Sequence, residues 1–214
     1  MFGELEGQSE IDRSVVRLFA LVSEGLAQAT HALLAGERDT ALGVIEREQR
    51  VNALVGEVEA MVWAEIEGDR PQRDLRHLVG LLLILPELER SADLAEHIAQ
   101  RAVNSLGWQM SPLSRGIVQR MTEVALEMWG SVAGLFVDPS TVGVDLSEDD
   151  EELDLLHDRL TAEIALGEMA PEVASQVTLL ARFYERLGDH AVNLSRRIVL
   201  LSDGEGDAPP AEDP

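Results

Sequence analysis

Tyr184-Glu185-Arg186-Leu187-Gly188-Asp189-His190-Ala191-Val192-Asn193-Leu194 repeats the pattern of Leu88-Glu89-Arg90-Ser91-Ala92-Asp93-Leu94-Ala95-Glu96-His97-Ile98, 96 residues earlier. Both stretches read apolar-Glu-Arg-x-small-Asp. The later one sits in a run where Val173, Val177, Leu180, Tyr184, Leu187, Ala191, Leu194 and Ile198 alternate steps of four and three. That period places the apolar residues on one stripe of a helix, the seam by which helices pack in bundles. A matching motif separated by nearly half the chain points to internal duplication. No segment shows a period of two, so the chain reads as all-α, in two similar three-helix halves.

Breakers and start signals set the boundaries. Gly36, Gly68, Gly107, the stretch from Asp138 to Gly143, the stretch from Gly167 to Pro171, and Gly204 each end an apolar-periodic segment. Ser9, Asp69 before Pro71, Ser111 before Pro112, and Ser147 before a run of acids mark helix starts. Six long helices are expected near 10–35, 38–67, 70–106, 112–137, 147–167 and 171–202, antiparallel in order because their connections are short. The halves are then 10–107 and 111–202, with 203–214 a disordered acidic tail. Pro86, inside the third helix, removes a backbone donor and predicts a kink. Trp63, Trp108 and Trp129 read as packing or interfacial anchors, Met121 and Met128 as core, and His31 and His77 as boundary residues.

The chain has 40 acidic and 17 basic residues and a net charge of −23. Such a chain is repelled by nucleic acid and by anionic lipid, so its partners are cations or basic protein surfaces. It contains no cysteine, which excludes disulfides and thiolate metal sites. The first residues carry no basic or apolar leader, and the nearly pure apolar run Leu78–Leu85 is far short of the roughly 20 residues that span a bilayer. A cytoplasmic protein is expected, reaching the inner membrane only through protein partners.

Carboxylates four residues apart share a helix face. Glu89 with Asp93 and Glu185 with Asp189 do so in the repeated motif. Glu48 with Asn52, and Asp150 with Asp154, echo it on the second helix of each half. His97 and Asn193 continue the two rows one turn further. Acidic pairs of this kind are common on solvated faces, but their repetition at the same place in both halves favours a site. Hard oxygen ligands on bundled helices suit Mg²⁺, Mn²⁺ or iron, with zinc a further candidate. Catalysis finds little support. Asp154-x-x-His157 comes near a di-iron motif only once, and there is no Gly-rich phosphate loop and no His-Glu-x-x-His.

Pro71-Gln72-Arg73-Asp74-Leu75-Arg76, followed by an apolar run and Leu88-Glu89-Arg90-x-x-Asp93, resembles the third helix of a PhoU domain. Arg182-Phe183-Tyr184-Glu185-Arg186-Leu187-Gly188-Asp189-His190-Ala191-x-Asn193 resembles the sixth. The likeness covers about 10 to 202. It implies two three-helix bundles related by pseudo-twofold symmetry, and metal ions on the acidic motifs. It also implies a non-catalytic negative regulator that couples the phosphate-specific ABC transporter to a sensor histidine kinase. A homodimer is expected from the long apolar seams. The alternatives are an accessory protein of another phosphate or metal permease and, more remotely, a carboxylate-bridged metalloenzyme. Asn52 stands where the family has a second acid, and Ser91-Ala92 replaces an apolar-Gly pair. The better site is therefore expected in the second half, from Asp150, Asp154, Glu185 and Asp189.

Overall fold

The computed structural model describes residues 9–68, 73–138, 144–166 and 169–202, the last three of these by backbone alone. The helices are α1 Glu10–Ala35, α2 Arg38–Ile66, α3 Leu75–Val103, α4 Leu106–Gln109, α5 Pro112–Val137, α6 Ser147–Ala165 and α7 Pro171–Ser202. The proposed tail 203–214 lies outside the described residues. No strand occurs among those described.

Local chemistry explains several of the boundaries. Ser9 caps α1 by accepting from the Asp12 amide at 3.1 Å. Gly36 ends it in the left-handed region at φ 74°, donating to Ala32 O. Ser111 caps α5 by accepting from Ser114 N at 3.0 Å, with Pro112 at the first position. Asp74 caps α3 by accepting from Arg76 N. The third long helix therefore starts at 75 rather than 70, and Asp69 and Pro71 lie outside the described residues. It runs unbroken through Pro86 to Val103. The expected extension to 106 is replaced by Ser105, left-handed at φ 58°, and the single turn of α4.

Each half is a three-helix bundle, α1–α2–α3 and α5–α6–α7. The halves join through α1 against α5 and α3 against α7. The last pair runs antiparallel, since Ser91 meets His190 while Leu83 O accepts from Arg197. One continuous core results, containing Leu18, Phe19, Leu26, Leu85, Leu88, Met121, Met128, Trp129, Leu187 and Leu194. The apolar seams of α1, α5 and α7 are thus occupied within a single copy. By length and composition α1 could cross a membrane, but its eleven buried residues face α2, α3 and α5.

Three hydroxyls tie the halves together inside this core. Thr30 of α1 lies 2.5 Å from Tyr184 of α7, and Thr122 of α5 lies 3.2 Å from both. Burial pushes the Tyr184 phenol up to about 12, and the threonine hydroxyls offset this only in part. Tyr184→Phe removes the hub and leaves the two threonines facing each other. It is expected to cost about 1–2 kcal/mol, lowering the thermal midpoint by roughly 2–8 °C in a calorimetric melt.

Gly107 was expected as a breaker, and it also permits a close approach. A Cβ there would sit 1.8 Å from the backbone oxygen of Leu33. Packing α4 under the end of α1 requires this glycine, and Arg115 secures the turn by donating to Gly107 O and Leu34 O at 2.6 Å.

Candidate functional site

The face formed by α2, α3, α7 and α6 carries all the predicted acids. In the first half, Glu48 of α2 and Asp93 and Glu96 of α3 each offer a carboxylate oxygen, and these oxygens lie within 4.8 Å of one another. All three side chains are half-buried. Burial pushes the Glu48 carboxyl up, and the charges of Glu96 and Asp93 add to the rise; the Asn52 hydrogen bond opposes it. Asn52 donates its amide to Glu48 Oε1, and its own Oδ1 is buried with no hydrogen-bond partner. The site therefore holds three converging carboxylates and an orphaned carbonyl oxygen. Carboxylate and amide oxygens are the ligand type that hard divalent cations take. The set contains no nitrogen or sulfur ligand, which disfavours zinc.

Two residues expected in this site are placed elsewhere. Glu89, one turn before Asp93, is not among the converging carboxylates. His97 turns its ring onto Phe183 of α7, 5.4 Å between centroids, and the Arg101 guanidinium lies over that phenyl at 4.4 Å. Glu96 was missed. It is three residues from Asp93, a spacing that shares a face as well as a spacing of four does.

The second half is looser. Burial pushes Asp150 up, and the charges of Asp154 and Asp189 add to it, while Arg196 opposes. These three acids are neighbours across α6 and α7, brought together because Gly188 lets the helices approach. A Cβ on Gly188 would meet Leu153 at 2.7 Å and Asp150 Oδ1 at 3.5 Å. Glu185 does not join them; it accepts from Arg182 and lies 3.9 Å from His157. Asn193 is exposed. No second trio converges among the described residues. The repeat marks one difference: 96 residues on from Glu96 stands Val192, so the second half has no counterpart of Glu96. Among the described residues it is the first half, not the second, whose three carboxylate oxygens lie within 4.8 Å of one another.

α3 and α7 also meet through the buried carboxylate of Glu87. Glu87 meets Arg197 at 3.2 Å and His190 at 3.8 Å. Burial pushes His190 below its ordinary value, with the charges of Arg186 and Arg90 lowering it and Glu87 and Asp189 raising it. The positions 96 residues on from Glu87 and Arg101 are Phe183 and Arg197. The duplicated contact is therefore an ion pair on one side of the axis and a cation–π stack on the other.

The PhoU domain model matches twice, over residues 15–102 and 118–198. The chain belongs to the PhoU family. "Phosphate-specific transport system accessory protein PhoU homolog 2" of Mycobacterium tuberculosis is 29% identical over 205 residues, covering 93% of this chain and 96% of that protein. The PhoU homolog of Aquifex aeolicus, also named a phosphate-specific transport system accessory protein, is 30% identical over 212 residues, covering 96% and 94%. In fold, the chain is similar to the crystal structure of PhoU from Pseudomonas aeruginosa, with a TM-score of 0.81 at 21% identity over 91% of this chain and 96% of that one. It is also similar to the Streptococcus pneumoniae PhoU structure, with a TM-score of 0.76 at 22% identity over 94% and 97%. Both PhoU domains of this chain hold one acidic group between their second and third long helices.

Proposed function

We propose that this PhoU-family chain is a non-catalytic negative regulator of the phosphate-starvation response. In this role it couples the phosphate-specific ABC transporter to a sensor histidine kinase. The observation that carries the reading is the PhoU domain occurring twice in this chain, together with a likeness over more than nine-tenths of their length to relatives named as phosphate-specific transport system accessory proteins. The −23 net charge supports protein partners with basic surfaces.

Glu48, Asp93 and Glu96 are assigned as a Mg²⁺, Mn²⁺ or iron site, with the Asn52 oxygen as a further ligand. Asp150, Asp154 and Asp189 are assigned as a weaker one. A cation at the first site ties α2 to α3 and sets the surface presented to partners. The membrane is reached through those partners.

The transporter ATPase of the same host, immobilised in phosphate-replete buffer with 1 mM Mn²⁺, is expected to retain the wild-type chain. Glu48→Gln/Asp93→Asn is expected to bind at least fivefold more weakly. Retention of neither variant nor wild type, by the ATPase and by the sensor kinase alike, sinks the reading.

A further inference from the structure

The duplication provides an internal control for the surface. α1 begins at Glu10 and α5 at Pro112, 102 residues on, and Glu48 and Asp150 stand the same distance apart. By this register the outward face of α6, which carries Leu155, Arg159, Ala162 and Leu166, corresponds to Ala53, Glu57, Ala60 and Ala64 on α2. All eight are exposed. At these four positions the first half shows water three alanines and a glutamate, with Trp63 also exposed on α2, and the second half shows leucines at 63% and 75% exposure. Leu113 of α5 repeats the contrast. It is 57% exposed, while its counterpart Ile11 is 5% exposed.

These residues form one feature. Leu113, Ile117, Arg159, Ala162, Glu163 and Leu166 line a groove of about 280 Å³ between α5 and α6, and exposed Leu155 lies one turn before Arg159 on α6. Glu163 is already engaged, accepting from Ser114 at 2.7 Å and from Ser111, and apart from it and Arg159 the lining is apolar. Isolated exposed leucines need no explanation, but several converging on a groove mark an interaction surface.

Charge selects the occupant. α6 carries eight carboxylates and one arginine. A second copy of this chain would bring another −23, and an anionic membrane would be repelled in the same way. We infer that the α5–α6 groove receives an amphipathic helix of a protein partner, whose apolar stripe lies against Leu113, Leu155 and Leu166 and whose Arg/Lys flanks meet Glu151 and Asp158, exposed four residues before and three residues after Leu155 on α6. Leu155 and Leu166 stand about 16 Å apart along α6, so the partner helix needs apolar anchors about eleven residues apart, in the helix-in-groove manner. The inference rests on the reading of the chain as a regulator that works through protein partners, and it names the surface.

The test is photo-crosslinking of the full chain in its own host, with p-benzoylphenylalanine placed at position 155 or 166, and at 53 or 64 as the matched control. The expected result is an adduct from 155 and 166 to a helix with Arg/Lys flanks, at least tenfold above the controls. Leu113→Asp in the same chain is expected to reduce it at least tenfold with an unchanged thermal midpoint. Should Leu113→Asp unfold the chain, Ala162→Asp serves in its place.

Adducts only to a second copy, only to lipid, equally from the control positions, or from none of them overturn the inference. The partner's identity separates it from the regulatory reading. A basic-flanked helix of a protein outside phosphate transport and signalling upholds the groove and removes that reading. Derepression in a deletion strain without adducts at 155 and 166 upholds the reading and removes the groove.

Discussion

Trp129→Ala is expected to destabilise the protein by about 3–5 kcal/mol, the range for truncating a fully buried tryptophan. At about 2–4 °C per kcal/mol for a chain of this size, the thermal midpoint drops by roughly 6–20 °C. Trp129 is fully buried, donates its indole N–H to Leu187 O at 3.1 Å, and packs its ring 6.1 Å from Phe19. It therefore joins α5 to α7 and to α1 at once, where the two halves meet. Trp63 and Trp108 are more than half exposed, and Trp63→Ala is expected to shift the midpoint by no more than roughly 2 °C, as surface substitutions usually do. Calorimetric melts of the two variants check both. A drop of less than about 3 °C for Trp129→Ala would show that the halves do not meet through this residue.

The second large effect concerns the acidic site of the first half. A divalent cation at a hundred times its dissociation constant stabilises the folded chain by about 2.7 kcal/mol, a rise of roughly 5–11 °C in midpoint. Glu48→Gln/Asp93→Asn is expected to remove most of that rise with Mn²⁺, while Asp154→Asn/Asp189→Asn leaves most of it. Equal losses in the two double variants would place the stronger site elsewhere.

The metal-free protein has a matching pH dependence. Because the folded-state pKa of Glu48 is raised, the native chain binds more protons than the unfolded one above the ordinary value of 4.5. This contribution to stability is fully present below about pH 4.5 and is lost as pH rises through the raised value. Metal-free wild type is therefore expected to gain more than Glu48→Gln on acidification from pH 7 to pH 5, measured by thermal melts in chelator.

The long helices were legible because their apolar spacing and their caps agree. Ser9, Ser111 and Gly36 act as their residue types suggest. The short elements were not. α4 exists because Gly107 fits beneath Leu33 O, a contact between residues far apart in sequence. The start of α3 was misplaced because two capping acids, Asp69 and Asp74, lie five residues apart and pattern alone does not rank them.

The site was legible by residue type more than by membership. Asp93 and Glu48 follow from the repeat. Glu185 fails because Arg182, three residues before it on the same face, takes its carboxylate. Glu96 stands three residues after Asp93, outside the four-residue spacing that marks the repeated acids. His97 was drawn away by Phe183 on the other half, and no local pattern reports that contact. The three tryptophans looked alike in sequence, and only packing separates Trp129 from the other two.

The most direct test of the regulatory role is deletion of the gene, followed by assay of a phosphate-repressible phosphatase in phosphate-rich medium. The account predicts high activity despite abundant phosphate, returned to the repressed level by the wild-type gene and not by Glu48→Gln/Asp93→Asn. Normal repression in the deletion strain, in a host with no second PhoU-family gene, would contradict it.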